Sequence, residues 1–424
     1  MSKTALMLRW IIFTIFYVLI TLYGFQAIKT MTKQSWIHYV FIGIAVIIAG
    51  NLIFKFAFGD SGRVLTTSKS YAFGYVLAFI AFNTFMIVFL LGEDVVRLCM
   101  ALYARFFGSD EALHMPSRRK FISGIAFGIA AIPFAAILYG MYKGKYNYKV
   151  VKHVLHFDDL PEAFDGYRIT HISDIHTGSF DNRPEVEQAV NMVKAQKSDM
   201  ILFTGDLVNN LSSELLPWKD LFGELKADDG VYSVLGNHDY GDYIDWDSTA
   251  AKEQNLEELK QLQKDMGYDL LLNENRFIER DGQRLALLGV ENWGVGGFKK
   301  AGDLSKAAEG VRPDDFKILM THDPSHWNEV VIRDDYHYHL TLSGHTHGMQ
   351  FGIEIPGWVK WSPIKYKYKH WAGVYKVKEQ YINVNRGFGY LGYPGRVGIW
   401  PEITVIELKK GPAAMTPKVT LASS

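Results

Sequence analysis

The sequence predicts two parts: an N-terminal bundle of about four transmembrane helices and an α/β domain behind it. Hydrophobic residues make up 48% of the 424 residues, and most of the excess lies before residue 143. Beyond residue 165, short apolar runs that resemble buried strands alternate with helical patterns. Potential metal ligands directly follow several of these runs, and open α/β folds gather ligands at the carboxyl ends of strands.

The first third of the chain contains four segments without any charged residue. They are Trp10–Ile28, Trp36–Phe54, Tyr71–Gly92 and Phe121–Tyr142. At a rise of ~1.5 Å per residue, each would cross about 30 Å of hydrocarbon as a helix. Aromatic residues near their ends suit the membrane–water interface. These segments predict a multi-pass protein of the cell (inner) membrane.

Two features of this region leave alternatives open. Val95–Phe107 is either an amphipathic helix at the interface or an extension of the third span. The loop before the fourth span is basic, which favours an extracytoplasmic catalytic domain by the positive-inside tendency. Ser117–Ile122 also resembles a twin-arginine export signal, whereas the lysines that follow the fourth span oppose this orientation. We expect the extracytoplasmic arrangement.

Domain boundaries follow from these patterns. The predicted parts are transmembrane helices over 1–145, a linker with a first strand over 146–164, a catalytic domain over 165–410 and a flexible tail over 411–424. The linker strand is expected at Tyr148–His156. In the catalytic domain, Pro184–Lys197 and Glu253–Met266 show helical periodicity.

Five apolar runs in the catalytic domain predict buried strands. They are Ile169–Ser173, Met200–Thr204, Val231–Leu235, Phe316–Met320 and His339–Ser343. The motifs that directly follow them are Asp174-Ile175-His176, Gly205-Asp206, Gly236-Asn237-His238-Asp239, Thr321-His322-Asp323 and Gly344-His345-Thr346-His347. Carboxylate oxygen, amide oxygen and imidazole nitrogen are ligands for divalent metals. Their recurrence after successive strands predicts a hydrolytic metal centre built from loops.

The five motifs, in this order, resemble the calcineurin-like metallophosphoesterase superfamily over roughly residues 165–410. The resemblance implies a four-layer αββα sandwich and two divalent metal ions, which could be Mn, Fe, Zn or Mg. It implies that Asp206 bridges the two ions. The ligands implied for the first ion are Asp174, His176 and His347. The ligands implied for the second ion are Asn237, His322 and His345.

The resemblance also implies catalytic residues beside the metals. His238 matches a position that stabilises the phosphoryl oxygens or protonates the leaving group. Protein phosphatases extend the second motif to G-D-x-x-D-R, but here Asn209 replaces the second Asp and the Arg is missing. Asn209 could still accept a hydrogen bond from His238. We predict that Arg386 replaces the missing phosphate-binding Arg.

The last part of the domain, from Gly357 to Pro401, is basic and aromatic. It has eight basic residues, one acid and interleaved Trp and Tyr, a composition that suits a lipid headgroup interface. The alternating Lys365–Lys369 segment could instead belong to two strands with solvated lysine faces. The end of this stretch resembles a membrane-associated branch of the superfamily that includes twin-arginine-exported phosphoesterases and a UDP-diacylglucosamine pyrophosphohydrolase.

Composition limits the remaining functions. The formal net charge is zero, which gives no sign of nucleic-acid binding. A single cysteine excludes both an internal disulfide and a multi-thiolate metal site. We therefore expect membrane lipids and a small-molecule or lipid phosphoester as partners.

The sequence as a whole predicts a membrane-anchored phosphoesterase. Its substrate would be a phosphomonoester, phosphodiester or pyrophosphate of a lipid or of the cell envelope. Two alternatives are a UDP-2,3-diacylglucosamine pyrophosphohydrolase at the cytoplasmic face and a non-catalytic, metal-stabilised membrane scaffold.

Overall fold

The chain divides into two compact units, Met1–Met141 and Tyr142–Ser424. A computed structural model of the protein describes residues 3–58, 66–107, 116–355, 357–412 and 420–421. The boundary between the units lies a few residues before the predicted end of the membrane part at 145. It falls at the last residues of the fourth long helix, where the apolar pattern gives way to lysine and glycine.

The first unit contains the four predicted membrane helices. They are α1 (Lys3–Met31), α2 (Ser35–Ala57), α3 (Thr67–Phe107) and α4 (Pro116–Tyr142). All four are long and apolar enough to cross a membrane. Helix α3 runs without interruption through Val95–Phe107. The structure therefore favours an extension of the third span over a separate interfacial helix.

Small side chains let these helices pack closely. Ala27, Ala126 and Ala130 are fully buried in one cluster with Met86, which joins α1, α3 and α4. At Gly24, an added Cβ would lie 2.2 Å from the Oδ1 atom of Asn83 on α3. Without a hydrophobic driving force between helices in lipid, such close approach provides much of the packing energy.

The second unit is an α/β domain. Its longer helices are α5 (Arg183–Lys194) and α7 (Thr249–Met266), and its short ones are α6 (Lys219–Phe222), α8 (Leu304–Ala307) and α9 (Ser325–Glu329). Its strands are β1 (Lys149–Phe157), β2 (Arg168–Ile172), β3 (Met200–Phe203), β4 (Val231–Ser233), β5 (Asp269–Leu270), β6 (Glu274–Arg280), β7 (Gln283–Gly289), β8 (Phe316–Met320), β9 (Leu340–Ser343), β10 (Ile353–Ile355), β11 (Val359–Trp361), β12 (Gly373–Val377), β13 (Gln380–Val384), β14 (Glu402–Lys410) and β15 (Thr420–Leu421).

Two mixed sheets form the centre of this unit. The first has the order β15-β1-β14-β2-β3-β4-β5, and the second has the order β12-β13-β9-β8-β7-β6. One core cluster joins their facing sides, for example Ile169 and Leu202 with Ile318 and Leu342. Separate clusters cover the outer faces with α5 to α7 on the first sheet and α8 and α9 on the second. These layers confirm the predicted four-layer αββα sandwich.

Two predictions about the end of the chain need correction or fall partly outside the structure. Lys365–Lys369 is not a strand, because Pro363–Tyr366 forms a 3₁₀ turn and an irregular loop follows it. Most of the predicted tail over 411–424 lies outside the described residues. Within the described part, Thr420 and Leu421 pair with β1.

Candidate metal centre

The ligand motifs lie at the carboxyl ends of strands from both sheets. Asp174, Asp206 and Asn237 follow the parallel strands β2, β3 and β4 of the first sheet. His322 and His345 follow the parallel strands β8 and β9 of the second sheet. Because the sheets pack face to face, loops at the same edge of each sheet converge on one point.

Asp174, His176 and His347 form the first ligand group. One potential ligand atom from each lies within 4.8 Å of the others, and all three residues are buried. The Nε2 atoms of His176 and His347 are 3.1 Å apart. Nε2 of His347 is 3.2 Å from Oδ1 of Asp174.

The second group consists of Asp206, His322 and His345. Nε2 of His322 is 3.1 Å from Oδ2 of Asp206 and 3.3 Å from Nδ1 of His345. Oδ1 of Asn237 lies 2.8 Å from the same Nδ1 atom. All seven residues predicted as metal ligands are thus present in the two groups or in contact with them.

Asp206 lies between the two groups. Its Oδ2 atom is 3.1 Å from Nε2 of His322 in one group and 3.5 Å from Nε2 of His176 in the other. A carboxylate at this position can contact two cations at once and reduce the repulsion between them. The geometry therefore supports the bridging role that the sequence resemblance implies.

Hydrogen bonds outside the centre orient the imidazole rings. Nδ1 of His322 contacts the carbonyl oxygen of Thr204 at 2.7 Å, and Nδ1 of His176 contacts Oδ1 of Asn209 at 3.1 Å. Both partners accept, so we assign the proton to Nδ1 in each ring. The Nε2 lone pairs of His176 and His322 then point into the centre, as metal coordination requires.

The donor set fits two divalent cations. The amide of Asn237 donates through Nδ2 to the hydroxyl of Tyr243 at 2.7 Å, which turns its Oδ1 lone pairs toward His345. Oxygen and nitrogen lone pairs that face each other at such distances repel unless a cation lies among them. Two carboxylates, one amide oxygen and four imidazoles suit Mn, Fe, Zn or Mg.

The backbone around the ligands is unusual. Asp174, His176, Asp206, His345 and His347 all have left-handed backbone torsions, with φ between 49° and 70°. Non-glycine residues adopt this region rarely, at a cost of about 1–3 kcal/mol each. Five such residues in one centre indicate that the surrounding fold holds the ligand loops in place against local strain.

Glycines allow the loops to approach one another. Gly205 has φ of 92°, and a Cβ there would lie 2.4 Å from the backbone nitrogen of Gly236. This contact explains why the motifs that carry Asp206 and Asn237 each begin with glycine.

The carboxylates of the centre favour a positive charge at His322, whereas burial lowers the pKa of His176 to about 3. Burial would lower the pKa of His322, but the carboxylates of Asp206 and Asp174 raise it to about 10. A site that stabilises a positive charge on a buried ring against desolvation also favours a metal cation.

His238 lies beside the ligand groups without belonging to either. Its ring centroid is 5.0 Å from that of His176 and 4.4 Å from that of Tyr243. Its backbone N–H donates to Oδ1 of Asp206 at 2.8 Å. The structure records no hydrogen bond from Nε2 to another described residue, so this atom is available to a substrate.

Asn209 does contact His238, but through a different atom from the one expected. The backbone carbonyl of Asn209 accepts from Nδ1 of His238 at 2.8 Å. Its side-chain amide orients the ligand His176 and contacts the hydroxyl of Ser179. A main-chain oxygen at position 209 can orient His238 whichever side chain stands there. The second Asp of the protein-phosphatase motif is therefore less important for orienting this ring.

The structure does not support the prediction for Arg386. Its guanidinium donates to Glu354 through Nε at 3.0 Å and Nη2 at 2.6 Å, and to Glu402 through Nη1. Burial would lower the pKa of Arg386, but the two carboxylates hold it above its usual value. A guanidinium paired in this way is a structural cation, and we correct its assignment accordingly.

Sequence reasoning missed several residues around the centre. The hydroxyl of Tyr368 lies 2.9 Å from Nε2 of His345 and donates to Asp323 at 3.3 Å. Nη2 of the fully buried Arg396 lies 3.2 Å from Nδ1 of His347, and burial lowers the pKa of Arg396 to about 10. Asp323 belongs to the fourth motif, directly after His322, so its position in the sequence indicates that it lies near the centre. No local sequence pattern indicates this for Tyr368 or Arg396.

Two family models match the chain. The model for the transmembrane domain of calcineurin-like phosphoesterases matches residues 8–145, and the calcineurin-like phosphoesterase model matches residues 167–349. Together these ranges contain every ligand and all of the four helices except the first residues of α1. The chain therefore combines a calcineurin-like phosphoesterase domain with a four-helix transmembrane domain of the kind found with such phosphoesterases.

Relatives from bacteria and vertebrates share this organisation in whole or in part. A zebrafish transmembrane protein with a metallophosphoesterase domain is 27% identical over 91% of this chain and 83% of its own length. The uncharacterised metallophosphoesterase YkuE of Bacillus subtilis is 28% identical over 69% of this chain and 98% of its own length. The phosphodiesterase YaeI of Escherichia coli is 26% identical over 69% of this chain and 100% of its own length.

Proposed function

We propose that this protein uses two divalent metal ions to hydrolyse a phosphoester of a lipid or envelope substrate at the cell membrane. The observation that carries the proposal is the convergence of two ligand groups on Asp206, beside a histidine with an available Nε2. The name of the Escherichia coli relative makes a phosphodiester the first substrate to test, ahead of a monoester or pyrophosphate. We also propose that the domain lies outside the cytoplasm, which a carboxy-terminal topology reporter tests.

The residues of the chain would divide the chemistry among them. Divalent ions in such a centre supply Lewis acidity and make water more acidic. Asp206 and Asp174 provide the negative charge that retains the ions, whereas Asn237 is neutral and limits repulsion of an anionic phosphate. His238, held at Nδ1 by a backbone carbonyl, is placed to give a proton from Nε2 to the leaving oxygen.

The first test measures metal content and hydrolysis together. Purified full-length protein in detergent should hold about two divalent ions per chain and should hydrolyse bis-p-nitrophenyl phosphate, and chelation should abolish this activity. Asp206→Asn should lose both ions, because it weakens the only carboxylate shared by the groups. Asp247→Asn, at an exposed position, is the matched control and should retain both.

Two results would contradict the proposal. Unchanged metal content in Asp206→Asn would remove the bridging role of Asp206. A protein that holds two ions but hydrolyses no phosphomonoester, phosphodiester or pyrophosphate would instead support the metal-stabilised scaffold.

A further inference from the structure

The β10–β11 hairpin has one face that is entirely apolar. Ile353 pairs with Trp361, and Ile355 pairs with Val359. Opposed residues and residues two apart share a face of a β-ribbon, so these four side chains lie together. Ile353 is 54% exposed and Ile355 is 43% exposed. A ribbon on a soluble domain normally turns such a face toward the core.

An aromatic side chain extends from the tip of the hairpin. Gly357 has φ of 74°, and the N–H of Trp358 donates to the carbonyl of Ile355 at 3.0 Å, which closes the turn. Trp358 is 79% exposed. Trp favours the boundary between lipid headgroups and acyl chains.

The opposite face of the hairpin is fixed to the domain. Glu354 accepts two hydrogen bonds from Arg386, at 3.0 and 2.6 Å. Lys360 pairs with Glu354 in the register and donates to the carbonyl of Ala372. These polar contacts hold the ribbon in one orientation, so the outward position of the apolar face is a built feature of the domain.

Flanking residues enlarge the surface and give it charge. Met349 and Tyr366 are 55% and 78% exposed, and contiguous apolar patches of this kind mark interaction sites. Three exposed lysines follow, and within the described residues none of them forms a salt bridge. These lysines are Lys365, Lys367 and Lys369. Exposed Trp and Tyr beside these lysines complement an anionic lipid surface.

The same segment is joined to the metal centre at both ends. It begins directly after the ligand His347, and the hydroxyl of Ser362 donates to the carbonyl of Gly348 at 2.7 Å. It ends at Tyr368, whose hydroxyl lies 2.9 Å from Nε2 of the ligand His345. The segment that carries the hairpin is therefore tied to two of the ligands.

We propose that residues 348–355 and 357–369, the docking segment, bind the surface of an anionic phospholipid bilayer. Trp358 and the exposed isoleucines enter the boundary of headgroups and acyl chains, and the lysines contact the phosphates. Four membrane helices in the same chain keep a bilayer at high effective concentration. Docking would bring the metal centre to phosphoesters of amphiphilic molecules, and this part alone rests on the proposed function.

A probe at the hairpin tip tests the docking. Trp358→Cys in a Cys99→Ser background allows a fluorescent label at one position, because Cys99 is the single cysteine. In nanodiscs that contain anionic phospholipid, spin-labelled lipids should quench this label strongly, and high salt should weaken the quenching. A label at Leu216, which is 58% exposed in another loop, is the matched control and should be quenched much less.

Either of two results would overturn the docking. One is a label at position 358 that spin-labelled lipids do not quench. The other is equal quenching at position 216, which would mean that the whole domain surface lies near lipid.

A pair of esters with the same leaving group tests the consequence for catalysis. One is soluble bis-p-nitrophenyl phosphate, and the other is hexadecyl p-nitrophenyl phosphate embedded in the nanodisc. Trp358→Ser should lower the ratio of lipid-ester to soluble-ester turnover by about tenfold, and an unchanged ratio would contradict substrate presentation. If the wild type hydrolyses neither ester, the proposed diester activity fails, whereas the quenching result still decides the docking.

Discussion

His238 is the residue whose role the geometry defines most narrowly. Its Nδ1 is occupied by the backbone carbonyl of Asn209, and its backbone N–H holds Asp206. Only Nε2 remains to act on a substrate. The main chain can therefore orient this ring without the second carboxylate that protein phosphatases use.

The first residue-scale prediction concerns this imidazole. His238→Ala should retain both metals but lower turnover by ~10²–10⁴-fold, the usual contribution of a general acid or base. The loss should shrink for esters with good leaving groups, which need little protonation. His337→Ala, a half-buried histidine outside the centre, is the control. An equal loss for good and poor leaving groups would indicate electrostatic stabilisation instead.

At the scale of elements, Arg386 joins three separate segments. It follows β13, Glu354 lies in β10, and Glu402 begins β14. Glu402 is 1% exposed, so it depends on this cation for its charge. The pairing connects the outer hairpin to the start of β14, an interior strand of the first sheet.

Arg386→Gln should therefore act on stability before it acts on phosphate binding. Leaving a buried carboxylate unpaired costs about 3–5 kcal/mol, which thermal unfolding in detergent would detect as a lower midpoint. The double variant Arg386→Gln with Glu402→Gln should recover part of the loss, because no buried charge then remains unpaired. An unchanged midpoint together with a raised KM would return Arg386 to the phosphate.

The elements differ in how well the sequence predicted them. The runs before the ligands were located within two residues, because buried strands of an α/β sandwich are apolar on both faces. Lys365–Lys369 was ambiguous because alternation with period two fits a strand as well as an irregular loop. There, Tyr368 is directed inward by its contacts with His345 and Asp323, which no local pattern encodes.

The seven ligands were predictable for a different reason. Each lies two to four residues after a strand, in a short motif that resembles the calcineurin-like superfamily, and the resemblance implies its role. Arg386 and Arg396 lie in the same basic stretch, and the sequence cannot show which guanidinium meets carboxylates. Only the tertiary structure places Arg386 on two glutamates and Arg396 beside His347.

At the scale of the whole molecule, buried neutral histidines predict a loss of stability in acid. Burial lowers the pKa values of His171, His326 and His339 to about 4 in the folded protein. The unfolded chain binds these protons near pH 6.5 and the folded protein does not. The contribution of these histidines to the free energy of unfolding is therefore fully present above about pH 6.5. It falls as the pH drops toward 4, by about 1.4 kcal/mol per pH unit for each group.

His339 offers a test of this dependence away from the metals. Its Nδ1 accepts from the backbone N–H of Lys317 at 2.9 Å, which opposes protonation. His339→Asn should reduce the slope of unfolding free energy against pH between 6.5 and 4 by about one proton. A slope that is unchanged in His339→Asn would show that other groups cause the acid sensitivity.

Each ligand group takes residues that follow strands of both sheets, which limits when the groups can form during protein synthesis. Asp174 and the backbone of His345 meet across 171 residues of sequence. A nascent chain cannot assemble either group until β9 and the ligands after it have left the ribosome, and contacts so distant in sequence form late in folding. Metal capture should therefore follow the synthesis of β9, so a bound metal would show that strands of both sheets have come together.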